Sequence, residues 1–110
     1  AAPPKSGVCA FQENGYDNQD TRSEEKLVVK INEDRIVHAS YHYKGSYQLE
    51  GVGDMSVPIK DGKWVSFEIP MASGGVGKYQ VKLDGDMMLF KGTANDRPHG
   101  QCRWEKPEGK

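Results

Sequence analysis

The chain has 110 residues, a length that suits one domain, with 28% charged residues, 35% hydrophobic residues and a formal net charge of −1. Aromatic residues make up 9% of the chain, which is enough to anchor a modest core and argues against a disordered protein. No basic cluster stands out and no apolar run approaches 18 residues, so we expect neither a nucleic-acid partner nor a membrane span.

Hydrophobic and polar residues alternate along most of the chain, which predicts β-strands and no convincing helix. The predicted strands cover residues 8–12, 27–31, 37–43, 46–50, 55–59 and 64–69, followed by a hairpin from 78 to 91. The polar, acidic segment 13–26 is predicted to be a mobile loop, with at most one helical turn. The expected fold class is therefore all-β: a small antiparallel barrel or sandwich of about 7–8 strands, forming one domain with flexible ends at 1–7 and 105–110.

Turn residues predict two hairpins, one closed by a loop at 60–62 with Gly62 left-handed and one closed by a two-residue turn at 84–85. The expected cross-strand pairs are Val57–Val65 and Met55–Phe67 in the first hairpin, and Val81–Met88 and Tyr79–Phe90 in the second. Residues 45–55 also share a spacing of Gly, Tyr, Gln, Gly, Asp and Met with residues 77–87. This similarity indicates either a duplicated strand–turn–strand unit or two unrelated hairpins that use the same common turn and strand residues.

Two cysteines, Cys9 and Cys102, lie near opposite ends of the chain, which predicts a disulfide that brackets the domain. Two buried free thiols are the alternative. The opening residues, Ala-Ala-Pro-Pro, are typical of a mature N-terminus left by signal cleavage. With the disulfide, they predict a periplasmic or secreted protein.

Catalytic and metal-binding patterns are missing from the sequence, so we expect no enzyme, no cofactor and no metal. His38 and His42 share a strand face but lie about 13 Å apart, too far to hold one ion. The carboxylates of the acidic segment are expected to be solvated.

A loop of small residues, 73–77 (Ser-Gly-Gly-Val-Gly), precedes one of the clearest predicted strands. Ser73, Gly74 and Gly75 present little side chain, so a partner can approach the backbone closely. Lys78, Tyr79 and Lys91 would add cationic and amphipathic contacts nearby. The alternative is a simple glycine-rich connection, with solvated lysines and Tyr79 in the core.

This stretch resembles the bacterial periplasmic and membrane-anchored inhibitors of c-type and i-type lysozymes. The shared pattern is Ser73-Gly74, then Lys78-Tyr79, a turn at Asp84-Gly85, and Leu89-Phe90-Lys91-Gly92. The c-type inhibitors also bracket a small antiparallel barrel with a cysteine near each end. Phe90 replaces the tryptophan that is common before the lysine in that family.

The resemblance implies a protein that inhibits a lysozyme, as a monomer or homodimer, by inserting a loop into the active-site cleft. Ser73 and Lys91 would then meet the catalytic carboxylates of the enzyme, with the residues between Gly74 and Tyr79 forming and supporting the loop. Two alternatives are a secreted carbohydrate-binding module that uses Tyr41, Tyr43, Tyr47 and Trp64, and an immunity or effector module that binds another protein.

Overall fold

The computed structural model describes residues 3–91 and 100–106, which form eight β-strands and contain no helix. The strands are β1 (Gly7–Tyr16), β2 (Arg22–Asn32), β3 (Arg35–Lys44), β4 (Gln48–Pro58), β5 (Trp64–Pro70), β6 (Val76–Asp84), β7 (Met87–Lys91) and β8 (Gly100–Trp104). The predicted all-β class is confirmed.

All eight strands lie in one antiparallel sheet with the order β4-β3-β2-β1-β8-β7-β6-β5. The sheet curls into a nearly closed barrel, in which the outermost strands β4 and β5 meet through an isolated bridge between Gly51 and Met71. Cys9 lies directly opposite Cys102 on the β1–β8 ladder, and the two are bonded. The predicted disulfide is therefore confirmed, and it joins the first strand to the last.

Antiparallel connectivity gives the barrel two distinct ends. The connections at 17–21, 45–47 and 71–75 lie at one end, which we call the loop end. The turns at 33–34 and 85–86 and the connection 59–63 lie at the other. Within the described part of the chain, β1 to β4 each have ten or eleven residues and are longer than β5 to β8, so the described sheet extends furthest at its β1–β4 side.

The core consists of the inward-facing residues of all the strands except β4, whose inner side chains are partly buried. A chain of aromatic rings runs through it: Phe11 lies 5.2 Å from Phe90, Phe90 lies 5.9 Å from Tyr79, and Tyr79 lies 4.9 Å from Tyr41. These contacts tie the β1–β4 side of the barrel to the β5–β7 side. Tyr79 is only 8% exposed, so its ring belongs to the core.

The acidic segment 13–26 is not a mobile loop, and this prediction is wrong. β1 continues to Tyr16 and β2 begins at Arg22, so most of the segment forms a hairpin ladder with a short turn. The polar sequence misled the prediction because these strand ends extend beyond the apolar core. Their inner face carries Ser23 and Glu25 instead of hydrophobic residues, while the backbone hydrogen bonds of the ladder remain complete.

The predicted hairpin between residues 55–59 and 64–69 does not form, although Gly62 has the expected positive φ of +79°. The predicted strands 46–50 and 55–59 are parts of the single strand β4, which pairs with β3. Ile59 leaves the sheet, is buried, and donates its backbone N–H to the carbonyl of Asp34. The pairs Val57–Val65 and Met55–Phe67 are therefore replaced by a connection that crosses the end of the barrel.

The second hairpin forms with a register different from the predicted one. Its turn residues are Gly85 and Asp86, so Val81 lies opposite Phe90 rather than Met88. Tyr79 has no partner among the described residues of β7, which end at Lys91. The buried face is unchanged because the register differs by two residues, which preserves the alternation of side chains.

Two further features of the sequence have different structural outcomes from those expected. A bulge in β3 buries Ile36 and leaves Val37 only partly buried, so the core face begins one residue earlier than the alternation predicts.

The similar segments 45–55 and 77–87 also differ in structure: Gly53 lies inside strand β4, whereas the matching Gly85 occupies a turn with φ +62°. The segments are therefore not two copies of one strand–turn–strand unit.

Candidate functional site

The connection between β5 and β6, residues 71–75, is a slim exposed loop at the loop end of the barrel. Ser73, Gly74 and Gly75 are all exposed. The two glycines have backbone φ values of +103° and +76°, which residues other than glycine rarely adopt. A Cβ placed on either glycine would have no neighbour within 4 Å. The tip of this loop is therefore free of surrounding protein among the described residues.

The base of the loop is fixed by backbone hydrogen bonds. The Met71 N–H donates to the Gly75 carbonyl at 3.1 Å, and the Gly74 N–H donates to the Met71 carbonyl at 3.0 Å. Across the seam, the Ala72 N–H donates to the Glu50 carbonyl of β4 at 2.7 Å. The base of the loop is thus anchored by its own strands and by the opposite edge of the sheet.

A groove of about 590 Å³ lies beside this loop, on the outer face of β2, β3 and β4. Val28, Ser40 and Val52 form its floor, and Val52 is more than half exposed. Ala72 of the loop and His42 of β3 also line the groove. The loop and the groove therefore present one continuous surface.

His42 and His38 each contact carboxylates on the outer face. His42 Nε2 lies 3.1 Å from Glu24 Oε1, and His42 Nδ1 lies 4.0 Å from Glu50 Oε2. His38 Nδ1 lies 2.7 Å from Asp54. The two histidines have different carboxylate partners, and the described residues contain no group of three or more His, Cys, Asp or Glu side chains placed to hold a metal ion.

Lys78 and Tyr79 follow the loop on β6, with their side chains on opposite faces. Lys78 is exposed and lies opposite Glu68, two residues from the start of β6. Tyr79 points inward beneath the loop, so close to Gly77 that a Cβ there would lie 2.5 Å from its hydroxyl. Burial, followed by the charge of Glu25, raises the pKa of Tyr79 to about 12.

Lys91 lies on the outer face of β7 and is separate from the loop tip. It lies opposite Gln80 on β6. Gln80 is four residues from Val76, where β6 begins next to the loop, and four strand residues span about 13 Å. The loop also contacts β4, on the side of β5 away from β7. The structure thus brings Ser73, Gly74 and Gly75 together, places Lys78 next to them, and separates Lys91 from them.

A polar cluster at the loop end was not anticipated from the sequence. The Asp17 carboxylate accepts backbone N–H groups from Ser46 at 2.8 Å, Thr21 at 3.0 Å and Gln19 at 2.9 Å. These hydrogen bonds, that from Ser46 first, lower the pKa of Asp17 to about 2. The only sequence signal is the Asp-Asn-Gln-Asp run, which is typical of a turn.

The aromatic residues of the carbohydrate-binding alternative do not share a surface. Tyr41 is buried and donates its hydroxyl hydrogen to Glu25 at 2.6 Å, and Tyr43 is partly buried against the core. The Tyr47 ring packs against the Tyr43 ring near the loop end, with ring centres 4.7 Å apart and planes tilted by 35°. Trp64 begins β5 on the outer face at the other end. These four residues therefore do not form one stacking platform.

Comparisons with protein-family models, with curated proteins and with solved structures give no match to this chain. The resemblance to the lysozyme inhibitors accordingly rests on the motif residues alone. No helix among the described residues has the length and apolar character needed to cross a membrane.

Proposed function

We propose that this protein is an inhibitor of a c-type or i-type lysozyme, acting in the periplasm or after secretion, and that its 73–77 loop enters the active-site cleft of the enzyme. The observation that carries the proposal is the loop itself, which is exposed and free of bulky side chains at its tip, yet fixed at its base. A loop anchored at its base loses less conformational entropy on binding than an unanchored one, which favours affinity.

Ser73 is the residue that we place against the catalytic carboxylates. Its hydroxyl can donate a hydrogen bond to an ionised carboxylate, and such charge-assisted bonds are stronger than neutral ones. The adjacent glycines leave room for the walls of a cleft that is built for sugar rings. Tyr79 supports the loop from below through its buried ring, and Lys78 brings a positive charge to the mouth of the cleft.

Lys91 lies further from the proposed contact than Lys78 does. The two carboxylates of a retaining glycosidase lie about 5–5.5 Å apart, whereas Lys91 lies about 13 Å along the sheet from the start of β6. In a rigid complex, Lys91 would contact another part of the partner. That it reaches the catalytic carboxylates together with Ser73 stays a prediction.

An inhibition assay on a suspension of bacterial cell walls tests the proposal directly. The purified chain, with its disulfide intact, is titrated into c-type, i-type and g-type lysozymes, and the rate of clearing is measured. We expect inhibition of the c-type or the i-type enzyme. A chain that protects the wall from none of the three enzymes would contradict the proposal and favour the other binding functions.

Two glycines allow a matched test of the loop. Gly75 and Gly62 have nearly equal φ values, +76° and +79°, and a Cβ added at either position would meet open space. Gly75→Ala and Gly62→Ala should therefore destabilise the fold to a similar extent, about 1–2 kcal/mol. Only Gly75→Ala should weaken inhibition, by at least about tenfold; equal inhibition by both variants would exclude this loop from the interface.

A further inference from the structure

Two lysines converge on one tryptophan on the outer face of β5, β6 and β7. The Lys91 ammonium lies 4.8 Å from the centre of the Trp64 ring, and the Lys82 ammonium lies 5.3 Å from it. The two nitrogens are therefore at most about 10 Å apart. Within residues 3–91 and 100–106, no carboxylate lies within 4.0 Å of either ammonium.

The other tryptophan provides an internal comparison. Lys5 lies 5.1 Å from the centre of the Trp104 ring, but its ammonium also lies 3.7 Å from a carboxylate oxygen of Asp61. Among the described residues, the same lysine–tryptophan contact is thus paired with a carboxylate at one site and with none at the other. Placing like charges close together costs free energy, which an anionic ligand between them would recover.

A depression of about 500 Å³ adjoins the Lys91 side of this pair. Lys78 and Lys91 line it, with Glu68 as the one acidic lining residue. Gln80 and Ser66, joined by a 3.1 Å hydrogen bond from the Gln80 amide to the Ser66 hydroxyl, lie between them. The second amide hydrogen and the amide oxygen of Gln80, and the Ser66 hydroxyl hydrogen, remain able to bond a ligand rich in hydroxyl groups.

We propose that this surface, formed by Trp64, Lys82, Lys91, Gln80 and Ser66, binds an acidic oligosaccharide that carries sulfate or carboxylate groups. The two ammonium groups hold the anionic substituents, because an ammonium is a compact charge that pairs with either group. The amide and the hydroxyl bond the sugar hydroxyls. This site does not include the loop at 73–77, and Lys91 belongs to both proposed surfaces.

Single-stranded nucleic acid is the other polyanion that a lysine and aromatic surface attracts. Its binding depends on bases stacked against free aromatic faces. Here the two ammonium groups lie over the one exposed aromatic ring of this surface, so the ring face is occupied and charge dominates. The arrangement therefore favours an acidic sugar over a nucleobase.

Isothermal titration calorimetry of the full chain at low ionic strength tests the proposal. The probes are a sulfated oligosaccharide, an oligomer of uronic acids, a neutral oligosaccharide of the same length, and oligothymidylate. We expect binding of the sulfated oligomer, the uronic-acid oligomer or both, which identifies the anionic group, and no binding of the neutral one. Lys82→Gln should weaken that binding about tenfold, and the matched control Lys5→Gln should leave it within about twofold.

Fluorescence locates the binding at Trp64. In Trp104→Phe, Trp64 is the sole remaining tryptophan, and its emission should change on saturation with the acidic oligosaccharide. Three results would overturn the proposal: no binding of either acidic oligosaccharide, binding of oligothymidylate as tight as that of the sugars, or equal losses in Lys5→Gln and Lys82→Gln. The last result would show that only the overall charge of the protein matters.

Discussion

The disulfide between Cys9 and Cys102 should supply a large part of the stability of this small domain. It joins residues 93 positions apart, and a cross-link of that span removes chain entropy worth about 4–5 kcal/mol from the unfolded state. A domain of this size has a total stability of about 5–15 kcal/mol. Replacing both cysteines with alanine should therefore remove between about a quarter and nearly all of the stability.

The double variant Cys9→Ala/Cys102→Ala suits this measurement because Cys9 is fully buried, and alanine leaves no polar atom without a partner. Urea unfolding followed by circular dichroism gives the free energy of unfolding and its dependence on urea. We expect the free energy of unfolding to fall by about 4 kcal/mol. Its dependence on urea concentration should become steeper, because the unfolded chain is no longer cross-linked and exposes more surface. A loss below about 1 kcal/mol, with an unchanged slope, would refute the reasoning.

Two further predictions concern polar contacts at the loop end. The pKa of Asp17 is lowered to about 2 in the folded protein, from an ordinary value of 3.8, so its contribution to stability is complete above about pH 4 and is lost as the pH falls from 4 to 2. The stability difference between the parent and Asp17→Asn should accordingly shrink over that range in urea titrations, and a constant difference would contradict this account. Tyr41→Phe removes a 2.6 Å hydrogen bond to Glu25 and should cost about 1.5–3 kcal/mol of unfolding free energy. Melting at the parental temperature would show that this bond contributes nothing.

Much of the fold follows from alternation in the sequence, because side chains on a strand point alternately to the two faces of a sheet. Alternation correctly identifies Leu27, Val29 and Val81 as core residues. It fails at Ile36, where a bulge shifts the face by one residue, and a bulge depends on the neighbouring strands. It also fails for the ends of β1 and β2, whose inner faces lie beyond the apolar core.

Strand partners are harder to predict than strands. The Lys60-Asp61-Gly62 sequence permits a tight hairpin, but the burial of Ile59 at the end of the barrel directs the chain across it instead. That outcome depends on where the barrel needs an apolar residue, which only the assembled sheet determines. For the same reason, the loop at 73–77 is recognisable from its glycines, whereas the position of Lys91 over Trp64 is not.

The inhibition constant of Ser73→Ala tests the central proposal most directly. Ser73 is exposed at the tip of the loop, so its replacement should leave the melting temperature unchanged. The control is Ser56→Ala, at an exposed serine on β4 near the opposite end of the barrel, where the change removes a 2.8 Å hydrogen bond that Arg35 Nε donates to the Ser56 hydroxyl. We expect Ser73→Ala to inhibit the sensitive lysozyme about 10- to 150-fold less well than the parent, which corresponds to one lost hydrogen bond to a charged group, and Ser56→Ala to inhibit as the parent does. Parental inhibition by Ser73→Ala would contradict the placement of this serine in the cleft.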